Sequence, residues 1–511
     1  MILGDGALEI VDRRVRLANC LESGYYPPRG RRGKRRNVVD ASHSFRYAGE
    51  RKQVTGVALL MVRRAFDRAA RARPGATHCT GEGKAMGGDR KHPVRAWTLI
   101  GCLMAGLAVL GGWVSGAWAA QPIKIGFGMA LTGGLAANGK AAVLAMEMWR
   151  EDVNKKGGLL GRPVEFVYYD DQTKPATVPG IYAKLLDVDK VDFIVSGYGT
   201  NLIAPAMPMV MERKLVFMGL AGMANNEKLN YPYYFSLQPA GPNPFVDWSR
   251  GFFDLAVRQT PKPTTVALVG ADAEYPHNAL TGARENVKRL GFKTVYDKTY
   301  PPATVDFTPI VRAIKAANPD VVYVASYPPD SAGMILAAHE VGLEPKLFGG
   351  GMVGVQYAAL LTKLGPRLNG LVNYDFWVPE PTLHFAGMDT FLKKYQAQAD
   401  KIGVDPLGHY LPPLGYAYVQ ILGQAIEATK SLDQRRVGDY IRANEFDTII
   451  GKLKFAPHNG EWAKSRVLMV QFQNIEGTDL KQFYGPGKRV VLYPEEFKSG
   501  TLIYPYAKAR K

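Results

Sequence analysis

The chain has 511 residues, with 64 Lys and Arg against 46 Asp and Glu, which gives a formal net charge of +18. Residues 1–95 hold 21 basic and 9 acidic side chains, so two thirds of that charge belongs to this segment. All three cysteines, Cys20, Cys79 and Cys102, come before residue 121. Residues 121–511 therefore have no disulfide, no thiolate nucleophile and no cysteine-ligated zinc.

Residues 1–95 are rich in arginine, broken by Pro and Gly, and have no sustained apolar periodicity, which predicts disorder. One interpretation is a basic arm that binds nucleic acid, because clustered cations release counterions from phosphates. The other is a translation start assigned too early, with Met86 as the true first residue. We favour the second, because a nucleic-acid arm does not fit upstream of an export signal, and we expect no nucleic-acid partner.

Residues 96–120 contain no charged side chain, follow basic residues at positions 90, 91 and 95, and end in Ala117-Trp118-Ala119. This pattern predicts a secretory signal peptide cleaved to leave a chain that begins at Ala120 or Gln121, and hence a periplasmic location. The alternative is an uncut anchor at the inner membrane, because 25 uncharged residues can span a hydrocarbon core about 30 Å thick.

From residue 123 onwards, apolar runs suited to buried parallel strands alternate with helical patterns, which predicts an α/β fold. The first strands are predicted at residues 123–131, 164–169, 193–196 and 215–219, with helices at 140–155, 177–187 and 202–213. A Pro-rich, hinge-like stretch at 238–244 interrupts the alternation. A second set follows, with strands at 265–269, 321–325 and 346–348 and helices near 278–290, 309–317 and 331–341. About 390 residues exceed one typical core, so we expect two lobes.

The rest of the sequence predicts helices near 385–399, 412–429 and 436–443, followed by β-strand patterns up to residue 473. Residues 485–511 are rich in Tyr and Pro, and we expect an extended tail packed on a lobe.

No motif identifies a catalytic centre. Gly134 to Lys140 matches the start of a phosphate-binding loop, but Ala141 stands where Ser or Thr should hold magnesium. Asp170 and Asp171 are adjacent on an extended chain and point to opposite faces, so a polar turn is favoured over a catalytic pair. No metal-ligand spacing of histidines and no nucleophile elbow is present. We expect no enzymatic activity, no cofactor and no metal.

Loops at the carboxyl ends of parallel strands are the expected ligand site of an open α/β sheet. Gly199, Thr200 and Asn201 follow the third strand and open a helix, where backbone N–H groups can hold a carboxylate. Tyr275 and Tyr327 each follow a strand of the second set, where a ring could close over a ligand or pack as a structural tyrosine. A further turn after the next strand, at residues 349–351, is either a close approach to ligand or a tight turn.

Several segments have a recognisable sequence at a characteristic spacing, namely Ile123-Lys-Ile-Gly with Leu131-Thr-Gly-Gly, Asp152-Val-Asn-Lys-Lys-Gly-Gly-Leu-Leu-Gly-Arg162, Tyr169-Asp-Asp-Gln172, Pro319-Asp320-Val and Phe446-Asp-Thr-Ile-Ile-Gly451. Together they resemble the leucine/isoleucine/valine-binding family of solute-binding proteins of bacterial ABC importers. The similarity runs from about residue 123 to residue 473. It implies a type I periplasmic binding protein with two Rossmann-like lobes, which closes on its ligand without catalysis.

The resemblance implies three crossovers between the lobes, expected near 238–242, 372–379 and 448–452. The predicted organisation is an extension at 1–95, a signal peptide at 96–120, lobe 1 from 121–240 plus 378–449, lobe 2 from 241–377 plus 450–484, and a tail at 485–511.

The resemblance also implies site residues. Thr200 takes the position of a hydroxyl that holds the ligand carboxylate. Neighbouring first-lobe contact positions fall on Tyr198, Ala221 and Met223, and Asn138 replaces an aromatic residue. Tyr275 and Tyr327 match aromatic contacts of the second lobe. Gly199, Asn201 and Gly351 remain candidate contacts from the position of their loops at strand ends. The acid that binds the ligand ammonium in amino-acid binders is missing from residues 350–352. Glu274 or Asp330 could replace it, although neither stands at the matching place.

The sequence therefore predicts a monomeric extracytoplasmic protein that binds a branched-chain or other apolar amino acid and delivers it to an ABC permease. One alternative ligand is an aromatic carboxylate, a short organic acid or an amide, none of which needs the missing acid. An alternative role is the ligand-binding ectodomain of a membrane-anchored sensor.

Overall fold

Helices and parallel strands alternate from residue 123 onwards in the computed structural model, which describes residues 121–510. The predicted extension and signal peptide lie outside these residues. The first sheet has five parallel strands in the order β2-β1-β3-β4-β5. They are β1 (Ile123–Met129), β2 (Val164–Asp170), β3 (Phe193–Tyr198), β4 (Phe217–Leu220) and β5 (Tyr234–Ser236), and the helices between them are α1 (Ala136–Lys155), α2 (Val178–Asp187), α3 (Thr200–Ile203) and α4 (Met207–Glu212).

The second sheet has seven strands and belongs to the second lobe. Its five parallel strands are β6 (Thr265–Ala271), β7 (Lys293–Tyr300), β8 (Val321–Ser326), β9 (Leu347–Met352) and β10 (Val372–Asp375). The helices of this part of the chain are α5 (Pro244–Val257), α6 (Glu274–Leu290), α7 (Thr308–Ala316), α8 (Pro328–Val341) and α9 (Ala358–Leu364). Strand β8 is fully buried, as expected for a parallel sheet covered on both faces.

The chain then returns to the first lobe, where α11 packs on α1. The returning elements are α10 (Met388–Ile402), α11 (Leu411–Thr429), α12 (Gln434–Ala443) and the hairpin β11 (Glu445–Thr448) and β12 (Gly451–Lys454). Two antiparallel strands, β13 (Leu468–Phe472) and β14 (Arg489–Tyr493), finish the second sheet in the order β14-β13-β10-β9-β8-β6-β7.

Two of the three crossovers differ from the expected positions. The first joins β5 to α5, close to the expected 238–242. The second lies at 376–387 rather than 372–379, because residues 372–375 are hydrogen-bonded within the sheet as β10. The third lies at 455–467 rather than 448–452, because residues 448–452 turn the β11–β12 hairpin, with Gly451 at φ 87°.

Residues 485–510 contribute a strand rather than only an extended tail. The run Arg489-Val-Val-Leu-Tyr493 forms β14 at one edge of the second sheet, and its first four residues are buried. The strand was not predicted because this short apolar run lies within a sequence rich in Tyr and Pro. Two further elements without a clear sequence signal are β5, which has three residues, and β7, an edge strand with mostly exposed side chains. No helix within residues 121–510 is long and apolar enough to cross a membrane.

Asp320 lies in the turn before β8 and bonds to the start of β6 and to the turn before β9. Its Oδ2 accepts from the backbone N–H groups of Thr264 at 2.6 Å and Thr265 at 3.2 Å, and Lys346 Nζ lies 2.9 Å from Oδ1. Burial by itself would raise the pKa of Asp320, but the bonds from Lys346, Thr264 and Thr265 outweigh it and lower the pKa to about 2. The ionised carboxylate therefore stabilises the fold.

We expect Asp320→Asn to lower the free energy of unfolding by about 1–2 kcal/mol at pH 7, since the site is partly screened by solvent. The depressed pKa gives a contribution that is complete above the ordinary pKa of 3.8 and is lost as pH falls towards 2. At pH 3 the difference between the two proteins should shrink to about half. Urea unfolding of both proteins at pH 7 and pH 3 measures this difference in the free energy of unfolding. An equal difference at the two pH values would contradict the role of the charge.

Candidate ligand-binding site

A cavity lies between the two lobes, beside the carboxyl ends of β3 and β8, with about 380 Å³ of space that no protein atom fills, part of it open to solvent. It is bounded by residues from both lobes and from the crossover regions. The lining residues are Leu135, Tyr198, Gly199, Thr200, Asn201, Ala221, Gln238, Trp248, Tyr275, Tyr327, Val353, Tyr374 and Tyr410.

The first-lobe side of the cavity is the turn from β3 into α3. Gly199 stands at φ 93°, a conformation that glycine adopts without steric cost, and its N–H donates to Leu220 O at 3.0 Å. Thr200 Oγ1 accepts from Met223 N at 3.0 Å, which fixes the hydroxyl while leaving its proton available. The first N–H groups of a helix have no intrahelical acceptor, so Thr200 and Asn201 can offer theirs to a ligand oxygen.

Direct hydrogen bonds join the lobes across the cavity. Asn201 Oδ1 accepts from the Tyr327 hydroxyl and from Tyr275 N at 3.3 Å. Asn278 Nδ2 donates to Met223 O at 3.0 Å. Because each bond joins the first lobe to the second, the structure represents the closed arrangement of the lobes.

Aromatic rings form much of the wall. The Tyr410 hydroxyl lies 2.7 Å from that of Tyr374 and 3.4 Å from that of Tyr198. The ring of Trp248 contacts Tyr374, with centroids 4.5 Å apart, and meets Tyr275 edge to face at 6.0 Å. Burial raises the pKa of Tyr198 to about 12, so this phenol stays neutral. The wall therefore offers apolar faces and neutral hydroxyls.

One polar side-chain atom of the lining residues has no hydrogen-bond partner within the described chain. It is the side-chain oxygen of Gln238, a residue only 3% exposed. The side chain of Trp248 acts on the Tyr323 hydroxyl as a hydrogen-bond partner. Buried polar groups are nearly always paired, and an unpaired one costs about 1–3 kcal/mol. A ligand with a hydrogen-bond donor would satisfy Gln238.

None of the lining residues carries a charge at neutral pH. The two acids considered as replacements for the missing ammonium-binding residue are not among them. Asp330 instead accepts from the Tyr300 hydroxyl at 3.2 Å, and burial raises its pKa to about 6. Burial also raises the pKa of Glu274. An ammonium group bound in this cavity would meet no carboxylate on its wall.

Seven of the ten predicted site residues line the cavity, namely Tyr198, Gly199, Thr200, Asn201, Ala221, Tyr275 and Tyr327. Three do not. Asn138 is buried in α1, where its side chain acts on the Tyr198 hydroxyl as a hydrogen-bond partner. Met223 holds Thr200 and Asn278 through its backbone, and Gly351 O accepts from the Tyr275 hydroxyl at 2.8 Å. Direct ligand contact by each of the ten stays a prediction.

Sequence reasoning missed six lining residues, which are Leu135, Gln238, Trp248, Val353, Tyr374 and Tyr410. Gln238 begins the Pro-rich stretch at the first crossover, and Tyr374 lies in the strand before the second. An aromatic or amide residue beside a predicted hinge was the available signal. Within residues 121–510, no group of three or more His, Cys, Asp or Glu side chains could hold a metal ion.

A family model described as "Periplasmic binding protein" matches residues 122–478. The leucine-, isoleucine-, valine-, threonine- and alanine-binding protein of Pseudomonas aeruginosa is 25% identical over 354 residues, which is 69% of this chain and 90% of that protein. The branched-chain amino acid transporter substrate-binding protein of Streptococcus pneumoniae, solved with isoleucine, is 18% identical with a TM-score of 0.60, covering 73% of this chain and 100% of its own.

A solute-binding protein of an ABC transporter from Rhodopseudomonas palustris, solved with 3,4-dihydroxybenzoic acid, is 20% identical with a TM-score of 0.59. The alignment covers 70% of this chain and 94% of that one. The solved structures confirm the predicted type I fold of two α/β lobes. The chain belongs to the periplasmic binding protein family and is a solute-binding protein of the ABC-transporter type, related to the Leu/Ile/Val-binding proteins.

Proposed function

We propose that this protein captures a small carboxylate with an aromatic or branched apolar body between its lobes and delivers it to an ABC permease. The observation that carries the proposal is the lining of the cavity, which joins the hydroxyl of Thr200 and the N–H groups at the start of α3 to a wall of neutral rings. Backbone N–H groups and a hydroxyl are suited to a carboxylate. Micromolar binding would require about −8 kcal/mol.

Two ligand classes compete for this cavity. The names of the curated relatives favour a branched-chain amino acid, as the sequence predicts. The cavity favours an aromatic carboxylate, because no acid lines it to pair with an ammonium group. Six of the lining residues are aromatic, and structures related in fold hold hydroxylated benzoic acids.

Thermal unfolding with added ligands separates the two classes. We expect 4-hydroxybenzoate or 3,4-dihydroxybenzoate at 100 times its Kd to stabilise the protein by about 2.7 kcal/mol. Leucine and isoleucine should give a smaller shift at the same concentration. Stabilisation by the two amino acids alone would reverse the assignment and require an acid that reaches the ammonium group. If neither class of ligand changes the unfolding temperature, the proposed ligand chemistry is wrong.

We expect Thr200→Val to weaken carboxylate binding roughly 10- to 100-fold, because a hydrogen bond to a charged group is worth about 1.5–3 kcal/mol. Isothermal titration calorimetry with the ligand identified above measures the change. Thr200→Ser is the matched control, since it keeps the hydroxyl that both the ligand and Met223 N use. Equal binding by the valine and serine variants would exclude the hydroxyl from the site.

Delivery to a permease requires export, so we also propose that the signal peptide is cleaved after Ala119 or Ala120 and that the protein works in the periplasm. The family membership supports this location. N-terminal sequencing of protein from the native host should begin at Ala120 or Gln121. A chain that still contains residues 96–120 in the membrane fraction would favour the anchored sensor instead.

A further inference from the structure

A buried cluster connects the last strand of the structure to the wall of the cavity. Arg489 opens β14 with its side chain 1% exposed, and its Nη1 lies 3.2 Å from Oδ2 of Asp375, at the end of β10. Its Nη2 lies 2.5 Å from Nδ1 of His409, in the segment before α11. All three residues are buried. Arg489 therefore joins the second-lobe sheet to a segment that leads back into the first lobe.

The chemistry of the cluster fixes the protonation of His409. Arginine can only donate hydrogen bonds, so Nδ1 of His409 must accept, and the imidazole must be neutral with its proton on Nε2. Burial lowers the pKa of His409 well below its ordinary value, and the charge of Arg489 lowers it further. Asp375, Asp405 and Glu380 supply the negative charge that acts on Arg489.

The residues that follow Asp375 and His409 in sequence are stacked on each other. Phe376 and Tyr410 lie face to face, with centroids 4.7 Å apart and planes 10° apart. Arg489 thus bridges the two residues that immediately precede the stacked pair. Because Tyr410 lines the cavity and bonds the Tyr374 hydroxyl at 2.7 Å, any movement of His409 would displace the ligand wall.

We propose that Arg489 is a positioning residue for ligand recognition, which holds Tyr410 in the cavity wall by clamping His409 to Asp375. The role rests on the proposed function, because it concerns the same cavity. It assigns part of the ligand affinity to a strand that contributes no lining residue itself. Arg489 is not among the residues that line the cavity, and it acts through Asp375 and His409.

A double-mutant cycle tests this coupling, since residues that act through one another give non-additive effects. The dissociation constant is measured for whichever of 4-hydroxybenzoate, 3,4-dihydroxybenzoate, leucine or isoleucine binds best. We expect Arg489→Met to weaken binding at least about tenfold in the native background. In a Tyr410→Leu background the same change should cost less than about twofold. Equal losses in both backgrounds would overturn the proposal.

Two controls separate positioning from general damage. Arg284→Met removes an exposed pair with Asp297 on the second lobe and should leave binding unchanged. His409→Asn keeps an acceptor near the place of Nδ1, whereas His409→Leu removes it. The asparagine variant should bind clearly better than the leucine variant, even if Arg489→Met fails to fold. Equal binding by the two histidine variants would overturn the clamp.

A ligand-free measurement distinguishes failure of the clamp from failure of the proposed function. In ¹⁵N-histidine NMR of the purified native protein, the His409 signal is identified as the one that is missing from the spectrum of His409→Asn. That signal should show a neutral ring protonated at Nε2. A charged ring or the Nδ1–H form would overturn the clamp whatever the ligand. If the ring has the expected form but none of the four ligands binds, the proposed ligand chemistry is wrong. The role of Arg489 in ligand recognition would then be wrong as well.

Discussion

Replacing Gly282 with alanine should lower the free energy of unfolding by about 3 kcal/mol. Gly282 lies where α6 crosses α5, and a Cβ there would sit 1.6 Å from Phe245 O and 2.2 Å from its carbonyl carbon. Both are backbone atoms of α5 and cannot rotate away. The two helices would have to separate, which loosens the packing of the second lobe.

Gly180→Ala provides the matched control in another helix. A Cβ at Gly180 in α2 meets no atom within 4 Å. Since alanine is favoured over glycine in a helix interior, this variant should gain about 0.5–1 kcal/mol. Urea denaturation gives both values. Similar midpoints for the two variants would show that close approach at Gly282 does not limit stability.

Replacing Asn201 with alanine should weaken ligand binding roughly 10- to 100-fold. Its Oδ1 accepts hydrogen bonds from the Tyr327 hydroxyl and from Tyr275 N, so closure of the variant would leave two partly buried donors unpaired. Each unpaired donor costs about 1–3 kcal/mol, and only the closed state bears that cost. A smaller closed population raises the apparent Kd in proportion.

Calorimetry and small-angle X-ray scattering together check this mechanism. Without ligand, the Asn201→Ala variant should have a larger radius of gyration than the native protein, because fewer of its molecules are closed. Asn444→Ala removes a side-chain amide that donates to Tyr440 O in the first lobe and has no bond across the cavity within residues 121–510, so it should change neither quantity. Weaker binding with unchanged compaction would assign Asn201 to ligand contact rather than to closure.

The order of elements was predictable because buried parallel strands leave continuous apolar runs, as in β3 and β8. The rule that ligands bind at the carboxyl ends of strands then located Thr200, Tyr275 and Tyr327. Trp248 and Tyr410 follow no strand directly. They reach the cavity because the crossovers bring the starts of α5 and α11 beside it, and such placement depends on tertiary packing.

The positions of the crossovers were predicted less well for a related reason. The resemblance placed a crossover at residues 448–452, but they turn a hairpin in which Phe446 pairs with Leu453, and both side chains are buried. Local sequence does not show which strand a short β segment will pair with. The contacts of Arg489 could not be predicted from the sequence for the same reason, because its partners Asp375 and His409 lie 114 and 80 residues earlier.

The interleaving of the lobes has a consequence for the order of folding. Lobe 1 needs residues up to the β11–β12 hairpin, and the second sheet is incomplete without β14 at residues 489–493. Neither lobe can therefore finish folding while the ribosome is still making the first two thirds of the chain. Contacts of such long sequence separation slow folding. We expect the chain to stay unfolded, and available to a translocation channel, until synthesis is nearly complete.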